Sequence, residues 1–87
     1  MDQIMQAQDS HTFGRMLRAE RKALGKTQSD MAAAVGTARQ TIADLENGKN
    51  VGSHILFAAL SAIGKVVTIT EVSSNPEWIR ALEAEYA

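Results

Sequence analysis

The sequence predicts a mainly α-helical fold with four short helices, one C-terminal strand and a short terminal helix. Three observations carry that prediction. Apolar residues recur at spacings of three and four between Phe13 and Ile63, which keeps one face of each helix inward. Glycines 25, 36, 48 and 64 punctuate the pattern, each where a helix must stop. After Gly64 the helical period gives way to a β-branched run, KVVTITEV, and then to an Asn-Pro helix start.

Composition bounds the reading. A chain of 87 residues suffices for one small domain with a modest core. With 45% hydrophobic and 22% charged residues it belongs with globular rather than disordered chains. The absence of cysteine excludes a disulfide framework or a thiolate metal site. No apolar run reaches the roughly 18 to 20 residues of a membrane span, and no membrane partner is expected. MDQIMQAQDSHT lacks the layout of a secretory signal, so the expected address is cytoplasmic.

Each element has a local reason. Residues 1–12 are a polar, flexible arm, with Thr12 the expected cap of a first helix over 13–24. The inward stripe of that helix is Phe13, Leu17, Arg21 and Leu24, in which the arginine is anomalous. Glu46 lies one turn past Ile42 and also points inward, so an Arg21–Glu46 pair across the core is expected. The alternative leaves both at the rim in water. Thr27 caps a second helix over 28–35, with Asp30 favoured in its first turn. A third helix spans 38–46, capped by Thr37 and ended by Asn47-Gly48. The fourth, about 53–63, is apolar nearly all round, including Phe57. A surface helix needs only one apolar stripe, so a second face is left for another subunit.

The strand over 65–72 is the only one in the chain. A lone strand exposes unpaired ladder groups. Pairing with its own copy across a two-fold axis, through Val67 and Ile69, resolves this and predicts a homodimer. An extension of the fourth helix, or an extended tail, is the alternative. Residues 73–87 begin Asn75-Pro76-Glu77, a helix start, and place Trp78, Ile79, Leu82 and Tyr86 on one stripe. That tail either packs on its own dimer or binds a partner through Trp78, Leu82 and Tyr86.

Residues 28–47 form helix, tight turn and helix, the layout of a helix-turn-helix that binds double-stranded DNA. Met31, Val35, Ile42 and Leu45 hold the two helices inward, and Ala32 sits at their crossing. The start of the second helix of the motif then faces the major groove. Arg39 suits guanine O6 and N7, Gln40 suits adenine N6 and N7, and Ala38 suits a thymine methyl. Asp44, one turn further, accepts from cytosine or faces solvent. Gln28, Thr37, Thr41, Asn47 and Lys49 are placed for phosphates. Net charge is −1, but residues 13–50 hold seven positive and four negative side chains, a net +3. The remaining segments sum to −4, and this split fits two partners of opposite character.

The stretch GRMLRAERKALGKTQSDMAAAVGTARQTIADLENGK resembles the phage-repressor and Xre-type helix-turn-helix family over about residues 13–64. The resemblance rests on the Thr-Gln start, A-x-x-V-G at the turn and T-I-x-x-L-E-N-G-K after it. It implies a four-helix repressor-like core, 13–64, as the DNA-binding domain. It also implies an arginine–glutamate pair at Arg21 and Glu46, base contacts at Ala38, Arg39, Gln40 and Asp44, and phosphate contacts at Gln28 and Lys49. A repressor core followed by one short strand is further similar to HipB-type antitoxins. That similarity implies a dimer on a pseudo-palindromic operator, autorepression of a type II toxin–antitoxin operon, and a HipA-like kinase toxin as partner. The Trp-containing tail departs from that pattern.

Enzymatic chemistry has no support in the sequence. His11 and His54 lack companions at metal-ligand spacing, and no nucleophile motif, phosphate loop or carboxylate pair is present. No catalytic residue, metal or cofactor is expected. Two other readings stay open: a stand-alone Xre-type or phage-type regulator without a toxin, and a protein-interaction module without operator binding.

Overall fold

The computed structural model describes residues 6–70 together with residues 81, 84 and 85. Four helices follow in order: α1 over Ser10–Ala23, α2 over Gln28–Val35, α3 over Arg39–Glu46 and α4 over Ser53–Ala62. α2 packs on α3 and α4, and α1 packs on α3. Their shared interior is centred on Ile42, which is wholly buried, with Leu17, Met31, Ala32, Leu45, Ala59 and Ile63 around it.

α1 begins earlier than expected. Asp9, not Thr12, is its cap: the Asp9 carboxylate accepts from Thr12 N at 2.7 Å and from Thr12 Oγ1 at 3.0 Å. A carboxylate at a helix N-terminus also meets the positive end of the dipole, so Asp9 takes the cap and Thr12 becomes its partner inside the first turn. These bonds, the one from the Thr12 backbone first, hold the Asp9 carboxyl below the usual range. Leu24 is a second correction. It stands 52% exposed rather than inward, because α1 ends at Ala23 and the Arg21 guanidinium fills the interior at that end.

α1 and α3 approach closely at Gly14. A Cβ there would lie 2.7 Å from the Leu45 carbonyl oxygen and closer still to that of Glu46. Glycine inside a helix costs about 1 kcal/mol relative to alanine, and here it permits backbone contact between two helices.

α2 starts with a reciprocal cap: Thr27 Oγ1 accepts from Asp30 N at 3.0 Å, and Thr27 N donates to the Asp30 carboxylate at 2.9 Å. It ends at Gly36, φ +80°, where the N–H groups of Gly36 and Thr37 both donate to Ala32 O at 2.8 and 2.9 Å. This turn uses Thr37 to close α2. The cap of α3 therefore falls on Ala38 instead of Thr37, and it has no side-chain hydrogen bond.

α4 turns Ala59, Leu60 and Ile63 toward the interior and leaves Phe57 56% exposed. Lys65 Nζ then lies 3.7 Å from a Glu20 carboxylate oxygen, which ties the chain after α4 to α1. Residues 65–70 form no strand, and none occurs among the described residues. A β-ladder needs a second strand, and within the described chain 65–70 have none to pair with. Val66, Val67 and Ile69 are exposed, Ile69 by 90%. Residues 71–72 of the expected strand, and Trp78, Leu82 and Tyr86 of the tail, lie outside the described residues. No helix among the described residues is long and apolar enough to cross a membrane.

Candidate nucleic-acid interface

The turn at Gly36 sets α3 against α2 with the first residues of α3 on the surface. Ala38, Arg39 and Gln40 are exposed, Thr37 and Thr41 are half-buried, and Ile42 and Leu45 on the opposite face are buried. Burial of one face fixes which residues remain outward, since side chains three and four apart share a side.

Beneath this surface lies an ion pair. Arg21 and Glu46, 7% and 5% exposed, meet side by side: Arg21 Nε donates to Glu46 Oε2 at 2.7 Å and Nη2 to Oε1 at 3.0 Å. Arg21 Nη1 donates to the Lys26 carbonyl at 2.7 Å, so the guanidinium also pins the loop between α1 and α2. The bond to Glu46 raises the Arg21 pKa further above its already high value. Burying two charges is expensive, and a two-pronged pair with further bonds offsets that cost while fixing geometry.

The pair extends to the surface. Gln28 Nε2 donates to Glu46 Oε1 at 3.2 Å, and Gln28 Oε1 accepts from Arg39 Nη1 at 2.8 Å. A continuous chain of bonds thus runs from Lys26 through Arg21, Glu46 and Gln28 to Arg39. The consequence is mechanical: the exposed Arg39 is braced against the buried pair at one nitrogen. Its remaining donors make no hydrogen bond among the described residues.

A second network lies one turn along α3. Gln40 Nε2 donates to Asp44 Oδ1 at 2.9 Å, and Lys49 Nζ lies 3.8 Å from the same oxygen. Lys49 is brought there by the exit from α3. Gly48 at φ +77° lets Lys49 N reach Asp44 O at 2.9 Å and Gly48 N reach Leu45 O at 3.2 Å. Asn47 is exposed beside it.

An open cleft of about 610 Å³ lies between the end of α1, the start of α2 and the start of α3. Arg18, Lys22, Lys26 and Arg39 line it, with Gln28 and Ser29 contributing the N-terminus of α2. The only carboxylate in its wall is Glu46, which is already bonded to Arg21 and Gln28. Free helix-start amides together with four cations make this an anion-favouring surface.

The structure therefore joins Arg21, Glu46, Gln28 and Arg39 in one network and Gln40, Asp44 and Lys49 in another. Sequence reasoning did not single out Arg18, Lys22 and Lys26 as site residues. Arg18 and Lys22 lie four apart, hence on one face of α1, and that spacing was the available signal. It also missed Gly14, whose place in the middle of a helix signals a close approach. Phe57, Val67 and Ile69 are all exposed, and none takes part in either network.

Comparison with known proteins identifies the family and the fold. The helix-turn-helix family model HTH_3 matches residues 17–70. An uncharacterized HTH-type transcriptional regulator of Methanothermobacter thermautotrophicus is 49% identical over 51 residues, covering 58% of this chain and 74% of that protein. A solved structure titled MDT Protein superposes with a TM-score of 0.74 at 21% identity, over 80% of this chain and all of that one. At that identity the likeness is one of fold.

Proposed function

The chain belongs to the Xre-type helix-turn-helix family, and from that premise we propose that it is a dimeric, sequence-specific DNA-binding repressor. The observation that carries this reading is Arg39, exposed at the start of α3 and braced through Gln28 to a buried ion pair, beside a cleft lined with cations. A guanidinium held at one nitrogen keeps donors for the O6 and N7 of guanine. Ala38 and Gln40 flank it on the same surface. Asp44, a turn away, lies on the same side of α3 as Gln40 and bonds to it.

Phosphates take the periphery. Gln28 acts through its main-chain N–H at the helix start and through the one amide hydrogen that its bonds to Glu46 and Arg39 leave. Thr37, Thr41, Asn47 and Lys49 flank α3, and Arg18, Lys22 and Lys26 continue the basic surface along the cleft. The dimer forms through residues 65–72 and Phe57, and places two copies of α3 on a pseudo-palindromic operator.

The protein partner is a HipA-like kinase toxin, bound with help from the tail that carries Trp78, Leu82 and Tyr86. In that role the chain is the antitoxin of a type II operon, which it autorepresses. Support for this part is the order of a repressor core, one β-branched segment and an acidic, aromatic tail. A stand-alone regulator is the second reading, and the likeness to an HTH-type transcriptional regulator of Methanothermobacter thermautotrophicus favours it.

The DNA reading is tested by gel shift on duplexes selected from a randomised pool. The Arg39→Ala/Gln40→Ala variant is expected to lose on the order of 100-fold affinity for the selected sequence while keeping its non-specific binding. Unchanged shifts would refute the assignment of α3. For the toxin, deletion of residues 76–87 is expected to abolish co-purification with the product of the adjacent reading frame, and intact co-purification would refute the role of the tail.

A further inference from the structure

We propose that Asp44 is not a base reader but a positioning residue that orients the amide of Gln40, making that side chain accept adenine and reject guanine. The inference rests on the reading that α3 enters the major groove. Asp44 follows Gln40 by four residues and so lies on the same side of α3, one turn on. Gln40 Nε2 donates to Asp44 Oδ1 at 2.9 Å. A carboxylate only accepts, so the amide nitrogen of Gln40 is held toward Asp44 and its oxygen is turned away.

That orientation decides which base is complementary. Held this way, Gln40 offers one acceptor, Oε1, and one remaining hydrogen on Nε2. Adenine presents the matching pair, a donor at N6 and an acceptor at N7. Guanine presents two acceptors, O6 and N7, and would set one of them against Oε1. A glutamine free to turn its amide over gives both of its hydrogens to guanine and loses the distinction.

Lys49 completes the arrangement. Its Nζ, 3.8 Å from the same Asp44 oxygen, offsets a negative charge that would otherwise sit beside the phosphates. Oδ1 of Asp44 is thus shared between Gln40 and Lys49 within the protein.

The test compares duplexes selected from a randomised pool by the wild-type protein, Gln40→Ala and Asp44→Asn. Asparagine keeps the shape of aspartate but can accept from or donate to the Gln40 amide, so it no longer fixes which way that amide faces. Thermal melting by circular dichroism verifies that both variants fold. The base pair whose preference vanishes in Gln40→Ala identifies the position that Gln40 reads. There the wild type is expected to prefer adenine over guanine by about tenfold, and Asp44→Asn by about twofold or less. An unchanged preference in Asp44→Asn overturns the proposal. So does a change confined to a different base pair, which would make Asp44 a direct reader. A wild-type pool that yields no common sequence overturns the DNA reading itself, and this inference with it.

Discussion

Two regions of this molecule are built from the same kinds of residue and end differently. Around Ile42, leucine, methionine and alanine from all four helices close on one another, and the two charges among them pair. At Phe57, Val66, Val67 and Ile69, aromatic and β-branched side chains are offered to solvent. The first region is finished by the chain itself. The second has the composition of an interior without the walls of one, and in our account a second copy supplies them. On that reading, the proposed DNA-facing surface is preorganised within one chain, whereas its proposed duplication depends on association.

The comparison is sharpened most by breaking the first region. Glu46→Ala leaves Arg21 buried without its partner and removes the brace of Gln28, so it is expected to cost about 3–5 kcal/mol in urea denaturation. A loss below about 1 kcal/mol would mean that water replaces the carboxylate, which is the behaviour of a surface pair. Gly14→Ala comes next. Its new methyl meets the carbonyls of Leu45 and Glu46, and forcing α1 from α3 is expected to cost about 1–3 kcal/mol by the same measurement.

Thr27→Ala removes one half of the reciprocal cap on α2 and is expected to cost about 1 kcal/mol at neutral pH. The bonds from Thr27, the backbone one first, hold the Asp30 carboxyl below its ordinary value. A depressed folded value means stabilisation that is complete above the unfolded carboxylate pKa, about 3.9, and is lost as pH falls through the lower folded value. The substitution keeps the backbone bond to Asp30 and removes only the part carried by the Thr27 hydroxyl. That part of the difference between Thr27→Ala and wild type should shrink below about pH 4, and a constant difference would show that the hydroxyl does not act through the carboxylate.

Ile69→Asp has the smallest expected effect on the fold and the most telling effect on assembly. Ile69 is 90% exposed, so circular dichroism should show the four helices intact. Light scattering should show the mass fall from two chains to one. A mass unchanged by the substitution would assign the exposed segment to something other than dimer pairing.

Much of this was legible in the sequence. The stripe of Phe13, Leu17 and Arg21, the inward place of Glu46 and the glycine at 36 located three helices and the buried pair, because local period and core burial agree there. The misplacements came from competition between neighbours. Asp9 outcompeted Thr12 as a cap, and closure of α2 consumed Thr37 before it was able to cap α3. Leu24 had the right period but sat beyond the end of its helix. The networks Gln28–Arg39 and Gln40–Asp44–Lys49 were not legible as networks. Periodicity places a residue on a face but does not say which of its polar neighbours it will bind.

The most direct measurement is a hydroxyl-radical footprint on a selected duplex, read for wild type and Ile69→Asp side by side. Two protected patches on one face of the DNA, centred roughly 34 Å apart or at a multiple of it, are the result expected of paired copies of α3. In Ile69→Asp, one patch of the pair or none should survive. A wild-type footprint of a single patch, or one that Ile69→Asp leaves intact, would contradict the account.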